Sequence, residues 1–309
     1  MDIKKIDEQK KIFKDYTDKY INEEQDEKAK NSHIDKQNHS LFVLDKALLT
    51  DAIFTRYNDS FRNLLALESL FHDIGRFEQM RTTRTFNDKM VSEHFPNMTD
   101  HGDIGAKVMQ EHGLLEELIP DVRKYDKEVL KVISRHSKLP DPQLLHLIMK
   151  EYLDVFRNYD LSELFSSDKS QKERDVLSAT NTTIVQDVDR LDIFRKIVRG
   201  IWIPMITNDP IDPEIYELFK QGRLPSMAEI KAVGKWNPNV GHLVRMNFIN
   251  QMNLVPVLMK VRNEKLIDQI FDINGNAIVE PAYEYAKELL DKKIEQSDDG
   301  ILIKRLKKA

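Results

Sequence analysis

Apolar side chains recur along most of the chain at intervals of three and four residues, the spacing that places them on one face of an α-helix. No stretch shows the alternation of apolar and polar residues that is typical of a half-buried strand. The pattern therefore predicts an all-α fold, a helical bundle with additional C-terminal helices. Predicted helices cover residues 127–137, 143–159, 180–198, 225–233, 244–271 and 281–295, and others begin at Asn38, Ser60 and Asp100.

Three segments are expected along the chain. Residues 1–36 are strongly charged and predict a helical N-terminal extension whose stretch 22–30 is exposed. Residues 37–200 show helical periodicity without alternating runs and predict the main helical domain. Prolines at positions 204, 210 and 213 mark a break, so residues 201–309 are expected to form a C-terminal helical cover packed on that domain.

One helix stands out because apolar residues cover nearly every side of it between positions 61 and 74. Such a helix should be buried, and Gly75 is expected to close it in the left-handed conformation. His72 and Asp73 lie inside this apolar stretch. Since a buried carboxylate is costly unless it is paired or binds a metal, Asp73 predicts a strong partner. Glu68, one turn before His72, is a candidate acceptor for orienting that imidazole.

The segment that follows, residues 76–88, is rich in hydrogen-bond donors and is predicted to be a polar loop. Arg76 and Arg84 lie in it, directly after the His72–Asp73 pair. We expect this loop to border the site and one of these arginines to contact a substrate phosphate. The alternative for each arginine is an ordinary salt bridge.

Other histidines and aspartates sit on apolar helix faces or at helix ends, where they could point inward beside His72 and Asp73. Ligands contributed by successive helices of a bundle are typical of metal sites in all-α proteins. Imidazole and carboxylate together suit manganese, iron, nickel, cobalt or zinc, with magnesium also open, rather than calcium. The additional candidates are His39, His101, His136 and Asp189, with His94 as a weaker alternative to His101 and with Asp187 and Asp192 not distinguished from Asp189 by periodicity.

Composition narrows the function classes. The 309 residues carry a formal net charge of −5, which argues against general affinity for nucleic acids or anionic membranes. The absence of cysteine excludes disulfides, thiolate nucleophiles and cysteine-ligated metals. No apolar run approaches the roughly 20 residues of a transmembrane helix, and the polar N-terminus does not look like a signal peptide. A cytoplasmic protein is expected, and a homo-oligomer is left open.

The order of these residues resembles the HD-domain superfamily of metal-dependent phosphohydrolases over about residues 37–200. Two further pieces, Thr85-Phe86-Asn87-Asp88 and Asp100-His101-Gly102-Asp103-Ile104-Gly105, are similar to an uncharacterised bacterial branch of it. The motifs that carry the main resemblance are His39-Ser40-Leu41-Phe42-Val43, Leu70-Phe71-His72-Asp73-Ile74-Gly75-Arg76 and Gln186-Asp187-Val188-Asp189-Arg190-Leu191-Asp192.

The resemblance implies a helical metal site with one or two divalent ions. By position, His39, His72, Asp73 and Asp189 would hold the first ion. His101 and His136 would hold a second ion, with Asp73 bridging the two.

The implied activity is hydrolysis of a phosphoester by a metal-activated hydroxide, with a nucleotide or a related phosphorylated metabolite as substrate. Two alternatives from other classes remain. The same ligand order occurs in diiron oxygenases of the superfamily, and a non-catalytic regulatory protein could bind metal or nucleotide with these residues.

Overall fold

The computed structural model describes residues 3–48, 59–119, 126–138, 171–202, 205–225 and 227–296. Regular structure in these ranges is helical, which confirms the predicted all-α fold. The helix predicted at 143–159 lies outside them. The helices are α1 (Ile6–Glu23), α2 (Glu27–Leu48), α3 (Asp59–Phe71), α4 (Gly75–Thr83), α5 (Val91–His94, after a 3-10 turn at Asp88–Met90), α6 (His101–Glu111), α7 (Leu114–Leu118), α8 (Asp126–Arg135), α9 (Gln171–Val198), α10 (Pro213–Lys220), α11 (Met227–Ala232), α12 (Pro238–Gln251), α13 (Val255–Asn263), α14 (Leu266–Asn274) and α15 (Glu280–Glu295).

The chain forms two compact units, Met1–Gln186 and Asp187–Ala309. Helix α9 is continuous and passes through this boundary. The division into segments 1–36, 37–200 and 201–309 stays a prediction. None of the helices in the described ranges combines the length and the apolar character needed to cross a bilayer.

The first unit is built around helices α2 and α3, which pack on each other and are covered by α1. Helix α4 packs against α6, and α6 packs against α8. Phe13 of α1 is fully buried and contacts the rings of Phe71 and Phe77 edge-on, with ring centroids 5.3 and 6.3 Å away. The charged N-terminal segment is therefore anchored in the first unit by its apolar side.

The second unit is organised around α15, which packs against α12, α13 and α14. Tyr283 is buried in this core and contacts the imidazole of His242. Lys293 closes the C-terminal end of α12, because its ammonium donates to the carbonyl oxygens of Ile249, Asn250 and Met252. Burial lowers the pKa of Lys293 to about 8. With three acceptors in place, this lysine is a structural cap.

Helix α2 begins at Glu27 rather than at the predicted Asn38. Asp26 precedes it and accepts a hydrogen bond from the backbone N–H of Ala29 at 2.7 Å. The first half of α2 is mostly polar and buries little besides Ala29 and His33, so apolar periodicity does not reveal it. The stretch 22–30, predicted to be exposed, therefore contains one buried anchor, Ala29.

The prediction for Gly75 and the residues after it is wrong in two respects. Helix α3 ends at Phe71, and Gly75 is the first residue of α4 rather than a left-handed helix stop. The segment expected to be a polar loop forms helix Gly75–Thr83, which buries Phe77 and Met80 one turn apart. Helix α9 begins at Gln171, well before the predicted start at residue 180.

Candidate metal centre

His72 and Asp73 lie in the short turn between α3 and α4, and both are buried. The turn is held by the backbone, since the N–H of Ile74 donates to the carbonyl of Phe71 and the N–H of Arg76 to the carbonyl of Asp73. The two side chains are therefore fixed at a helix junction inside the apolar core of the first unit.

Close backbone packing brings two further histidines to this junction. A Cβ at Gly75 would lie 2.1 Å from the carbonyl oxygen of His101, and one at Gly102 would lie 2.9 Å from the carbonyl oxygen of Ile133. Only glycine permits these approaches of α4 to α6 and of α6 to α8. As a result, His101 at the start of α6 and His136, directly after α8, both reach the His72–Asp73 turn.

Each of three imidazoles uses its Nδ1 to bind an acceptor, which fixes its orientation. His72 Nδ1 donates to the carbonyl of Ser69 at 2.7 Å, and His136 Nδ1 donates to the carbonyl of Ile133 at 2.6 Å. His101 Nδ1 lies 3.1 Å from both carboxylate oxygens of Asp88. Since a carbonyl or a carboxylate only accepts, Nδ1 carries a proton in all three rings, and Nε2 is the atom that offers a lone pair when the ring is neutral.

Glu68 was a candidate for orienting His72, but the Ser69 carbonyl accepts from that imidazole instead. Glu68 accepts a hydrogen bond from the side-chain amide of Asn181 at 2.6 Å. Burial raises the pKa of Glu68 well above its usual value, with the Asn181 hydrogen bond opposing that rise.

The two carboxylate oxygens of Asp73 face different imidazoles. Oδ2 lies 3.4 Å from Nε2 of His39 and 3.6 Å from Nε2 of His72. Oδ1 lies 3.2 Å from Nε2 of His101 and 3.5 Å from Nε2 of His136. Asp73 therefore stands between two pairs of histidines.

Two groups of side chains have ligand atoms within 4.8 Å of one another. One is His39, His72 and Asp189, and the other is His72, Asp73 and His136. His101 lies beside the second group, with its Nε2 3.0 Å from Nε2 of His136 and 3.2 Å from Asp73 Oδ1. Five of the six residues that the sequence proposed as ligands, all but Asp189, therefore lie close together in the first unit.

The two alternatives to Asp189 have other surroundings. Asp187 is fully buried and accepts from the backbone N–H groups of Asn253 and Leu254 at the start of α13, and from Arg190. Burial raises the pKa of Asp187, although these donors oppose the shift. Asp192 lies 3.7 Å from the ammonium of Lys196. Neither belongs to a group of potential ligands in the described part of the chain, and neither does His94, an exposed residue that donates to the Met90 carbonyl.

The arrangement of lone pairs fits a metal cation. Nε2 of His101 lies 3.0 Å from Nε2 of His136, and the Nε2 atoms of His39 and His72 are 3.3 Å apart. Two unprotonated nitrogens at these separations repel each other unless a proton or a metal ion lies between them. With metal–ligand distances of about 2.1 Å, donors at a right angle lie about 3.0 Å apart and donors at a tetrahedral angle about 3.4 Å apart. The observed separations match these edges of a coordination shell.

Charge around the centre keeps Asp73 ionised. Burial alone would raise the pKa of its carboxyl, but the Lys36 ammonium beside it holds that pKa well below its usual range. Lys36 Nζ lies 2.7 Å from Asp73 Oδ2. An ionised carboxylate among unprotonated imidazoles is the donor set that divalent transition metals bind.

The two predicted arginines have different partners. Arg76 Nη1 donates to Gln79, to the carbonyl of Phe86 and to Asp88, all within 2.8 Å. Its Nε is buried without a hydrogen-bond partner and lies 3.8 Å from Asp73 Oδ1. Arg84 adopts φ 57° at the end of α4 and pairs with Glu24, next to the start of α2.

Sequence reasoning assigned no role to two residues that touch the centre, Lys36 and Asp88. Lys36 lies one turn before His39 on α2, so extending that helix towards its true start would have placed it beside the site. Asp88 lies in the segment between α4 and α5 and carries no periodic signal. Its contact with His101 depends on the path of that segment, which brings Asp88 next to the start of α6.

Comparison with known families identifies the family of the chain segment that carries these candidate ligands. The HD domain family matches residues 37–193, just over half of the chain. The chain belongs to the HD domain family. Comparison with curated proteins and with solved structures found no match.

HD domain proteins bind divalent metals, and the family generally contains metal-dependent phosphohydrolases. The matched range contains all six candidate ligands and Asp88, and Lys36 directly precedes it. The HD domain match, together with the buried histidine and aspartate groups, indicates a protein of the metal-dependent hydrolase type.

Proposed function

We propose that this HD domain protein is a phosphohydrolase that cleaves a phosphoester of a nucleotide or of a related small phosphorylated metabolite. The observation that carries the proposal is the position of Asp73. Its two carboxylate oxygens face two separate pairs of imidazole nitrogens, 3.2 to 3.6 Å away. This is the arrangement expected of a carboxylate shared by two ions.

In this proposal, His39, His72, Asp73 and Asp189 would hold a first ion. His101 and His136 would hold a second ion, with Asp73 shared between the two. Divalent ions bound there would polarise the phosphoryl group and lower the pKa of an attacking water.

The protein itself supplies the orientation of the second pair of imidazoles. Asp88 accepts from Nδ1 of His101, while the backbone carbonyl of Ile133 accepts from Nδ1 of His136. Acceptors at Nδ1 raise the basicity of Nε2 and hold each ring in one orientation. His101, which starts its helix and has no carbonyl one turn earlier to bind, depends on Asp88 for this.

Arg76 is suited to contact the substrate through one atom. Its Nη1 is used by Gln79, Phe86 and Asp88, so the guanidinium is held in place. The unpartnered, buried Nε lies next to the oxygen of Asp73 that faces His101. A buried N–H without an acceptor costs about 1–3 kcal/mol. We assign this N–H to a phosphoryl oxygen of the substrate, and Arg84 stays a second predicted contact.

The test is a hydrolysis screen of the full chain against phosphorylated metabolites, with manganese supplied. We expect phosphate release from one class of compound by the metal-loaded protein. Release should be lost after chelation and in Asp73→Asn. The matched control is Asp45→Asn, which makes the same change at an exposed carboxylate paired with Lys10 and should retain activity.

The screen also separates the other two function classes. A protein that releases no phosphate from any compound but consumes oxygen when loaded with iron and supplied with a polyol or a phosphonate would be an oxygenase. A protein that binds a phosphorylated compound, but neither releases phosphate from it nor consumes oxygen, would be a non-catalytic regulatory protein. Either result overturns the proposal.

A further inference from the structure

Lys36 is a second cationic side chain at the centre, in addition to Arg76. It lies on α2, one helical turn before His39, and its side chain is 17% exposed. Its Nζ is 2.7 Å from Asp73 Oδ2, the same oxygen that faces His39 and His72. The ammonium also lies 5.5 Å from the centre of the Phe86 ring.

A metal ion and this ammonium compete for one carboxylate oxygen. Oδ2 of Asp73 is the oxygen available to an ion held by His39 and His72. When such an ion uses it, Lys36 faces another cation at close range and loses its best partner. An anion lying against both the ion and the ammonium would remove this repulsion.

Among the cations at the centre, Lys36 is the one able to change partner. Arg76 is held by Asp88, Gln79 and the Phe86 carbonyl. Within the described residues, the polar partner of the Lys36 ammonium is Asp73 alone. The ammonium lies near the Phe86 ring and is carried by a flexible four-carbon stem, so it can turn away from Oδ2 without leaving the site.

We propose that Lys36 is a substrate-binding residue whose ammonium turns from Asp73 to a phosphoryl oxygen once metal is bound. Lys36 and the free Nε–H of Arg76 then supply two cationic donors at one centre. Two such donors favour a terminal phosphate, which carries two negative charges, over a phosphodiester, which carries one. This inference rests on the proposed function and adds the class of phosphoester.

The test measures binding of inorganic phosphate to the manganese-loaded full chain by calorimetry, with metal content measured on the same samples. We expect Lys36→Met to keep the wild-type metal content and to weaken phosphate binding at least tenfold. Lys36→Arg should retain part of the affinity, because a cation remains. Lys28→Met, the same change at an exposed lysine two turns earlier on α2, should behave as the wild type.

Two results would overturn the assignment. If Lys36→Met binds phosphate within about twofold of the wild type at equal metal content, the ammonium does not contact the phosphate. If Lys36→Met instead gains one equivalent of metal, Lys36 occupies the first site in place of an ion.

A separate measurement distinguishes this inference from the proposed function. A wild-type protein that hydrolyses no phosphoester, but whose phosphate binding depends on Lys36, would contradict the hydrolase proposal and keep the binding residue. Hydrolysis of a phosphodiester in preference to the matching phosphomonoester would contradict the assigned substrate class and leave the hydrolase proposal standing.

Discussion

In the two-ion proposal, the contact between Asp88 and His101 offers a way to weaken the binding of a second ion without removing any of its candidate ligands. Both oxygens of Asp88 lie 3.1 Å from Nδ1 of His101, and Arg76 holds the carboxylate in place from the other side at 2.8 Å. In Asp88→Asn the side chain keeps its size, but its amide can donate to Nδ1. That would place the imidazole proton on Nε2, the atom that has to bind metal.

The expected magnitude follows from the geometry. Loss of a carboxylate that orients a metal-binding histidine costs about 10- to 100-fold in metal affinity. The 3.1 Å contacts are longer than the strongest charge-assisted hydrogen bonds, and the Asp88 side chain is 35% exposed, so water screens part of the interaction. We therefore expect a loss near the lower limit, about tenfold or 1.4 kcal/mol, at the second site only.

The assay is titration of the metal-free protein with manganese or zinc in competition with a chromophoric chelator, which resolves the two binding steps. Asp88→Asn should weaken one step and leave the other unchanged, and Asp88→Glu should restore part of the affinity. Asp103→Asn is the matched control, because Asp103 lies on the same helix as His101 but pairs with Lys138 at 2.8 Å. Equal weakening of both steps, or affinities for Asp88→Asn within twofold of the wild type, would refute this reasoning.

Three further predictions concern the same centre. His101→Ala and His136→Ala should each leave a folded protein with about one equivalent of metal and an activity lower by orders of magnitude, and metal analysis showing the same content as the wild type would contradict two separable sites. Arg76→Ala should lower kcat/KM roughly 10- to 150-fold, which corresponds to about 1.5–3 kcal/mol of lost transition-state stabilisation. The same kinetics should be measured on Arg84→Ala, where a kcat/KM within twofold of the wild type would show that Arg84 does not contact the substrate. Gly75→Ala should cost about 1–3 kcal/mol of stability, seen as a lower Tm, because its Cβ would meet the His101 carbonyl at 2.1 Å; an unchanged Tm would mean that α4 and α6 can separate freely.

The ligands could be proposed from the sequence because each lies on, or beside, a helix with a strong apolar face. Apolar periodicity places such a residue on the inner side of its helix, and the order of the motifs carries the resemblance to the HD domain. The all-α fold is visible for the same reason. Apolar periodicity predicts which residues are buried. His39, His72 and Asp73, which it placed on inner helix faces, are all buried in the structure.

Features that depend on backbone packing or on polar segments could not be predicted in this way. The first half of α2 is polar, so its start was missed, and with it the position of Lys36. Gly75 was interpreted as a helix stop, because the sequence does not show that the backbone of α6 approaches it. Helix α4 has only a narrow apolar side, Phe77 and Met80, and was interpreted as a loop.

The glycines at the helix contacts have a consequence for the choice of metal. At Gly75 the backbone of α4 lies directly against the carbonyl oxygen of His101, and at Gly102 the backbone of α6 lies directly against the carbonyl oxygen of Ile133. The rings of His101 and His136 are in turn tied down at Nδ1, so neither can tilt to follow a larger or smaller ion. In the two-ion proposal, a second ion held by His101 and His136 would meet rings that adapt to its radius only if whole helices move, and we expect such a site to discriminate between metals of different size.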